Sequence, residues 1–416
     1  MSDAVDKIKL GSLITELPKS SLPASAAEVG GHYHFFCSSA EVRAINSWLQ
    51  EKPAIIMGTG GVASVNYGCE KYAYSTDTWC FRSQREDVQT RFLFRKIQQL
   101  LPKIEYVGFE GSGLKHLRKG VVKSLLIDIP KKNVQNKIIE ILDAVDDSIS
   151  ATESLIAKYQ KIKAGLMHDL FTRGVTADGK LRPPREQAPE LYHETAVGWI
   201  PVEWYCEKIK NLLAPVANNL RSGPFGSALL KYELVEEGIP FLGIDNIFPE
   251  RFEGNFRRFI PMHKYLALNR YAVRPNDVVI TIMGTVGRYC VLPKNTGLAL
   301  SSKHLWTMTF DEKKVIPELV CWQLNYAPWV LAWFRKESQG AVMDAIQSST
   351  LKTLHLPVPD IVEQKLILER YLTGHSKITS EQNKLEKIKK LKSGLMHDLL
   401  TGKVQVKIDE FDQEPA

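Results

Sequence analysis

The hexapeptide Gly-Leu-Met-His-Asp-Leu stands at Gly165–Leu170 and again at Gly394–Leu399, 229 positions later. Carried outward without a gap, the same offset sets Pro130 over Pro359, Gln135 over Gln364, Ile138 over Ile367 and Glu140 over Glu369. It also pairs Ile149 with Ile378, Lys158 with Lys387, Lys161 with Lys390, Lys163 with Lys392 and Thr172 with Thr401. A register held over about 40 residues marks a tandem duplication, and its unit is far longer than a solenoid repeat.

Each copy of the repeated segment reads as one long helix. In the first, Ile138, Leu142, Val145, Ile149, Ile156, Tyr159, Leu166 and Leu170 follow a 4-3-4-3 spacing, with Thr152 and Lys163 as polar interruptions. In the second, Ile367, Tyr371, Ile378, Leu385, Ile388, Leu395 and Leu399 occupy the same register. Both are seams for helix-helix packing of the coiled-coil kind. Each helix opens just after a proline (Pro130, Pro359) and closes near a glycine (Gly174, Gly402), as start and stop signals require. At 1.5 Å per residue, about 40 residues make a rod of roughly 60 Å, long enough to act as a spacer. One such seam alone would suit a homodimer. Two matching seams in one chain can satisfy each other, and the long stretch between them leaves room for an antiparallel pairing.

The segment from Thr176 to Trp204 is rich in proline, charge and glycine and reads as a linker. The expected organisation is a first domain over 1–130, a central helix over 131–175 and a linker over 176–203. A second domain over 204–359, a distal helix over 360–404 and a tail over 405–416 complete it.

The two globular blocks are distant copies. Each starts with a short basic strand (Lys7–Lys9, Lys208–Lys210) and carries an aromatic-containing strand (His32–Ser39, Gly238–Ile247). Each has an apolar strand running into a glycine turn (Ala54–Gly61, Val279–Gly287), then a strand in which Trp79 and Trp306 align (Thr76–Phe81, Lys303–Met308). Helical stretches follow at Gln89–Leu101 and Pro317–Phe334. Both blocks close with a small-residue turn, GSGLKHL or SQGAVMDAI, and a strand into proline, LLIDIP or LHLPVP. The alternation predicts an α+β fold with mixed or antiparallel sheet. The whole is then two similar domains and two long antiparallel helices with internal pseudo-two-fold symmetry.

Composition sets outer bounds. Lysine plus arginine is 54 against 47 acidic residues, a net charge of +7 that permits a polyanion partner without identifying one. The six cysteines show no CxxC spacing, so a disulfide framework is not expected. The N-terminus lacks the apolar core of a signal peptide, and nowhere do 18 apolar residues run together. A cytoplasmic protein without membrane contact is expected.

Three motifs invite enzyme readings that the residues do not support. Gly58-Thr59-Gly60-Gly61-Val62-Ala63 fits a dinucleotide fingerprint, with Asp77 placed after it. That fingerprint needs a helix at the second glycine, whereas Ser64–Tyr74 reads as turn and strand. His168-Asp169 and His397-Asp398 put adjacent residues on different helix faces, and His32 with His34 lacks a third ligand, so no metal site is expected. No phosphate-binding loop, nucleophile elbow, amino-methyltransferase tetrapeptide or nuclease-like acidic cluster stands out.

This layout resembles a type I restriction-modification specificity subunit. The resemblance is carried by the paired helix ends KIKAGLMHDLFTRGV and KLKSGLMHDLLTGKV and by AVGWIPVEWYCEKIKNLL. AIIMGTGGVASVNY, STDTWCF and GSGLKHL in block one, with PFGSALL, GIPFLGIDNI and DVVITIMGTVG in block two, extend it over nearly the whole chain. It implies two target-recognition domains, each reading one half of an asymmetric bipartite site in double-stranded DNA. The helices would set the spacing and dock two copies of a methylation subunit, and a restriction/translocase subunit would join them. The chain itself would hold no cofactor and catalyse nothing, its partners using S-adenosylmethionine, ATP and Mg2+.

Candidate DNA contacts are the Arg, Lys, His, Ser and Asn side chains beside expected turns. They are Arg82, Arg85, Lys115 and His116 in block one, with Arg221, Ser222, Asn246, Arg288, Lys303 and His304 in block two. The alternative is a coiled-coil interaction scaffold with two protein-binding domains and no nucleic acid, which the modest charge favours. An orphan methyltransferase or nuclease ranks third for want of motifs.

Overall fold

A computed structural model describes residues 6–284, 286–338 and 347–408. The chain divides into two compact units. The first joins residues 1–155 to 381–416, and the second runs from Ile156 to Ser380. Each unit therefore holds one globular block, part of the central helix and part of the distal helix.

Both blocks build the same sheets. In the first unit a four-stranded antiparallel sheet runs in the order Ile14–Glu16, Thr78–Ser83, Ala54–Gly58, Val65–Gly68. Beside it, Tyr33–Phe36 pairs antiparallel with Val42–Ile45 and parallel with Tyr72–Tyr74. Asp6–Lys9 and Leu126–Ile129 form an antiparallel pair that brings the start of the block to its end. In the second unit the order Leu220–Ser222, Leu305–Met308, Val278–Thr281, Tyr289–Val291 repeats the first sheet. Ile239–Leu242, with Phe259–Ile260 antiparallel and Leu300–Ser301 parallel, repeats the second. Tyr205–Lys208 with His355–Val358 repeats the third. Trp79 opposes Met57 and Trp306 opposes Ile280, so the aligned tryptophans hold one place in the sheet.

Alternating apolar residues of the four-stranded sheets pack on a domain helix. In the first unit Ile55, Met57, Trp79 and Phe81 meet Leu93 and Ile97 of the helix Thr90–Gly108. In the second, Val278, Ile280 and Met308 meet Val320 and Leu324 of the helix Pro317–Tyr326. Several boundaries differ from the sequence expectation. The first domain helix passes through Pro102 to Gly108, because Ile104 still reaches the core. The second breaks at Ala327, and Pro328 starts a new helix, Pro328–Ser338. Lys208 ends a strand, while Ile209 and Lys210 lie in the helical turn Ile209–Leu212, with Ile209 and Leu212 buried. The SQGAVMDAI turn lies, past Ser338, outside the described residues, as do Thr285 and the tail beyond 408.

The long helices run Lys132–Thr172 and Ile361–Leu400. In the first unit Ile138 and Leu142 of the central helix pack with Leu399 and Leu400 of the distal helix. Asp146 pairs with Lys392 at 2.5 Å and Glu153 with Lys389 at 2.9 Å, so the two helices run antiparallel. In the second unit Met167, Leu170 and Phe171 pack with Ile367 and Tyr371. Every seam residue named from the sequence is buried or half-buried. The polar interruptions are also satisfied. Buried Thr152 donates to the Ser148 carbonyl at 2.7 Å, and Lys163 pairs with Glu250 at 2.9 Å.

Gln135 and Gln364, equivalent in the repeat and both fully buried, join helix to domain. The Gln135 carbonyl accepts the Gln89 amide at 2.9 Å, and its amide donates to the carbonyls of Asp87 and Pro130 at 2.9 and 2.8 Å. The Gln364 carbonyl accepts the Ile316 amide at 2.7 Å, and its amide donates to Lys314 and Pro359, both at 2.8 Å. The two joints are the same joint. The expected linker is packed against the helices, with Ile200 buried and Leu181 and Val197 beside it. The buried Glu363 carboxylate accepts from the Val175 amide (2.7 Å), Arg182 (2.5 and 2.9 Å) and Trp204 Nε1 (2.9 Å). Gly174, at φ 63°, has Glu363 where a Cβ would stand, so this corner requires glycine.

Gln135→Ala and Gln364→Ala each orphan one buried amide and two carbonyls. Each is expected to lower stability by about 2 kcal/mol or more in denaturant unfolding, with closely similar values for the pair.

Candidate nucleic-acid interface and partner surface

In the first unit the strand Ala54–Gly58 turns through Thr59–Ser64 and returns as Val65–Gly68, so no helix follows the glycines. Gly61 has φ 80°, and the loop is stitched to its neighbours by backbone. The Gly61 amide donates to the Lys115 carbonyl and the Leu117 amide to the Thr59 carbonyl, both at 2.9 Å. Ser38 Oγ donates to the Gly60 carbonyl at 2.8 Å and accepts the Gly60 amide at 3.0 Å. The Ala63 amide donates to the Glu105 carboxylate, which also lies 3.6 Å from Lys115 Nζ. Two loops thus form one rim, presenting Val62, Leu114, Lys115 and His116 to solvent.

Arg82 and Arg85 are not part of this rim. Gly58 opposes Thr78, and Arg82 lies four residues further along that strand opposite Thr15, roughly 13 Å away at strand rise. Arg82 donates to Gln50 Oε1 at 3.0 Å, and exposed Arg85 grips Asp87 at 2.9 and 2.5 Å.

In the second unit the strand Val278–Thr281 runs into the corresponding turn, where Gly284 and Gly287 have φ of 76° and 85°. The Thr281 amide donates to the Arg288 carbonyl, and Thr281 Oγ1 accepts the Arg288 amide, both at 3.0 Å. The Ile282 amide donates to the His304 carbonyl at 2.9 Å, and Ser222 Oγ donates to the Lys303 carbonyl at 3.2 Å. This sheet end therefore collects Arg288, Lys303 and His304, with Met283 and Val286 exposed beside them. Burial, then the neighbouring charges of Lys303 and Arg258, hold His304 below the usual histidine range.

Three candidates of this unit are spent internally. Arg221 is 4% exposed, ion-pairs with Asp277 and donates to the Ala272 and Asn218 carbonyls and to Thr309 Oγ1. Asn246 is 1% exposed and braces a turn, accepting the Gly243 amide and donating to the Glu253 carbonyl, both at 2.9 Å. Ser222 is buried and holds Lys303 in place. In this structure the polar atoms of all three are engaged within the protein, which the expectation of surface contacts did not anticipate.

A basic and aromatic run between Phe248 and Arg288 was missed. Arg251 and Arg288 lie over the Phe248 ring at 4.6 and 5.3 Å, and Arg270 lies over Tyr271 at 4.7 Å. Arg257 is exposed, and Arg258 pairs with Asp245. The sequence signal was the interleaving of arginines with Phe252, Phe256, Phe259 and Tyr271.

A second surface lies on the long helices. In the second unit Lys158, Lys161, Gly165 and His168 are exposed along one helical stripe, with Thr172 half-buried at its end. In the first unit Lys387, Lys390, Gly394, His397 and Thr401, the same residue types in the same order, are exposed. Ile162 and Leu391, equivalent in the repeat, are 54% and 56% exposed. A Cβ at Gly165 or Gly394 would meet nothing, so neither glycine is required by this chain's own packing. A glycine inside a helix nevertheless costs roughly 1 kcal/mol against alanine.

Among the described residues no group of His, Cys, Asp and Glu could hold a metal ion, and His32 and His34 are exposed. No described helix is long and apolar enough to cross a membrane.

The profile of the family described as the type I restriction modification DNA specificity domain matches residues 5–163. The chain is 26% identical over 310 residues to the type I restriction enzyme MjaVIII specificity subunit of Methanocaldococcus jannaschii, covering 72% of this chain and 66% of that one. It is 21% identical over 321 residues to the EcoBI specificity subunit of Escherichia coli, covering 76% of this chain and 65% of that one. The chain thus spans just under two thirds of the length of these two relatives. Its fold is similar to the S subunit of a type I restriction-modification system from M. genitalium, with TM-score 0.62 at 14% identity, over 96% of this chain and 97% of that one. A structure described as the basis of complex assembly and conformational transition of the type I R-M system aligns with TM-score 0.54 at 14% identity, over 97% and 99% of the two chains. Residues 5–163 thus match the type I restriction modification DNA specificity domain, and the chain is similar to type I specificity subunits over about three quarters of its length.

Arg221→Ala breaks a buried ion pair and is expected to destabilise the second domain by about 3–5 kcal/mol. Arg85→Ala, at an exposed pair, should change stability by under about 1 kcal/mol in the same denaturation assay.

Proposed function

We propose that this chain is the non-catalytic DNA-reading subunit of a type I restriction-modification complex. Each domain reads one half of an asymmetric bipartite site in double-stranded DNA, through the loops at one end of its four-stranded sheet. The observation that carries this reading is the pairing of one sheet topology with two different rims. Val62, Leu114, Lys115 and His116 stand at the first, and Met283, Val286, Arg288, Lys303 and His304 at the second. Similar scaffolds with different loop chemistry suit similar tasks on different sequences. Cationic side chains answer phosphates, and arginine and lysine read guanine edges.

The long helices set the separation of the half-sites and dock two copies of a methylation subunit. The repeated Lys-Lys-Gly-His-Thr stripe supports this, since two matching surfaces invite two copies of one partner. A restriction/translocase subunit completes the assembly in the cytoplasm. S-adenosylmethionine, ATP and Mg2+ act in those partners.

The test is reconstitution with the methylation subunit on a duplex carrying the split site. Arg288→Ala or Lys303→Ala should weaken binding or relax one half-site by about 10- to 100-fold, leaving subunit assembly intact. Loss of a phosphate contact should also reduce the salt slope of log K by about 0.9. If these changes abolish assembly and spare DNA affinity, the interface is wrongly placed. Gly165→Trp or Gly394→Trp should each leave one methylation subunit bound where the parent binds two, read by native mass spectrometry.

A further inference from the structure

In each unit one charged seam residue of a long helix sits where three elements meet. In the second unit that residue is Lys163 of the central helix, whose side chain is 18% exposed and lies 2.9 Å from Glu250 of the domain, itself 9% exposed. The Tyr371 hydroxyl of the distal helix donates to the same Glu250 oxygen. The ammonium also lies over the rings of Tyr371 and Tyr326, at 4.7 and 5.5 Å. Tyr371 is fixed in turn, against Trp322 at 3.6 Å and stacked with His375 at 5.7 Å.

Glu250 is an unexpected residue for its place. It forms the tip of the hairpin Ile247–Phe248 and Arg251–Phe252 with φ 59°, a conformation that glycine or asparagine adopts more cheaply. Its amide donates to the Tyr289 carbonyl at 2.8 Å. The same hairpin carries Phe248, on which Arg251 and Arg288 of the candidate DNA rim lie. One short hairpin therefore has its tip in the helix pair and its ring under the rim.

In the first unit the repeat-equivalent lysine, Lys392 of the distal helix, lies 2.5 Å from Asp146 of the central helix. Arg95 of the domain, 1% exposed, lies 2.6 Å from the same carboxylate and also pairs with Asp143. Arg95 and Trp322 stand at the same step of their domain helices, six residues beyond the amide held by Gln135 or Gln364. The place is common to both units and the chemistry is not. One junction is an ionic triad, and the other is an ion pair walled by aromatic rings.

We propose that these two junctions lock the angle of each recognition domain on its helices, and so select the base-pair spacing between half-sites without selecting the bases. Lys163, Glu250, Asp146 and Lys392 are positioning residues for DNA recognition. This rests on the function proposed above. The length of the helices sets the coarse separation, whereas a junction that gives way lets a domain tilt. A tilt of about 3 Å at the rim equals one base-pair step.

The experiment uses the full complex with the methylation subunit and duplexes with both half-sites intact. The spacer is the preferred length or one base pair longer or shorter. The parent complex should discriminate sharply. Glu250→Gln and Lys163→Met, and in the other unit Asp146→Asn and Lys392→Met, should raise relative methylation of the altered spacers about tenfold. Discrimination against a mutated half-site should stay unchanged. Lys389→Met, at an exposed helix pair, serves as the control and should leave spacing preference at the parent value. Folded, assembled variants with unchanged spacing preference overturn the proposal, and so does a variant that loses base discrimination instead. A parent complex that methylates no split site overturns the functional reading itself, an outcome distinct from either.

Discussion

A helix of about 40 residues with one apolar face has no stable existence in water unless that face is covered. Every larger feature of this chain depends on how the covering is done. In the first unit the beginning of the central helix is covered by the end of the distal helix, and in the second the end of the central helix by the start of the distal one. Each domain is then added to a helix pair rather than to a single rod. Phe92 enters one seam, and Leu319 and Trp322 the other.

The sheet ends follow from a different constraint. A loop that carries polar side chains toward a ligand has to be held without using those side chains. Both rims are held mainly by main chain: Lys115 and Thr59 through their carbonyls in one, Lys303 and His304 through theirs in the other. Glycines at positive φ make the turns possible, as at Gly61 and Gly284. The side chains of Lys115, His116, Lys303 and Arg288 are thereby left to face outward or across the surface.

The parts legible in the sequence were those written in periodicity. The seam, the alignment of Trp79 with Trp306 and the turn nature of the glycine motif all needed only spacing and residue type. The inward course of Arg221 and Asn246 was not legible, because polar side chains beside a turn look alike whether they point out or in. Only the tertiary fold supplies Asp277 to one and the Glu253 carbonyl to the other. Glu363 fixing Arg182 and Trp204 was invisible for the same reason, across some 160–180 residues of chain. The arginine and aromatic run around Phe248 was there to be read. It was passed over because its charges are spread over several short elements instead of one helix face.

The glutamine joints have a consequence for how the two halves can change over time. Gln135 and Gln364 recognise peptide groups alone, and every chain has those whatever its side chains. The attachment is therefore blind to the identity of the domain it carries. A domain with a wholly rewritten surface still presents the same three peptide groups to its helix, provided its own helix starts at the same place. Such a joint behaves as a standard coupling, and it explains how both helix segments can keep the same glutamine and the same Gly-Leu-Met-His-Asp-Leu end while the domains mounted on them differ in their surfaces.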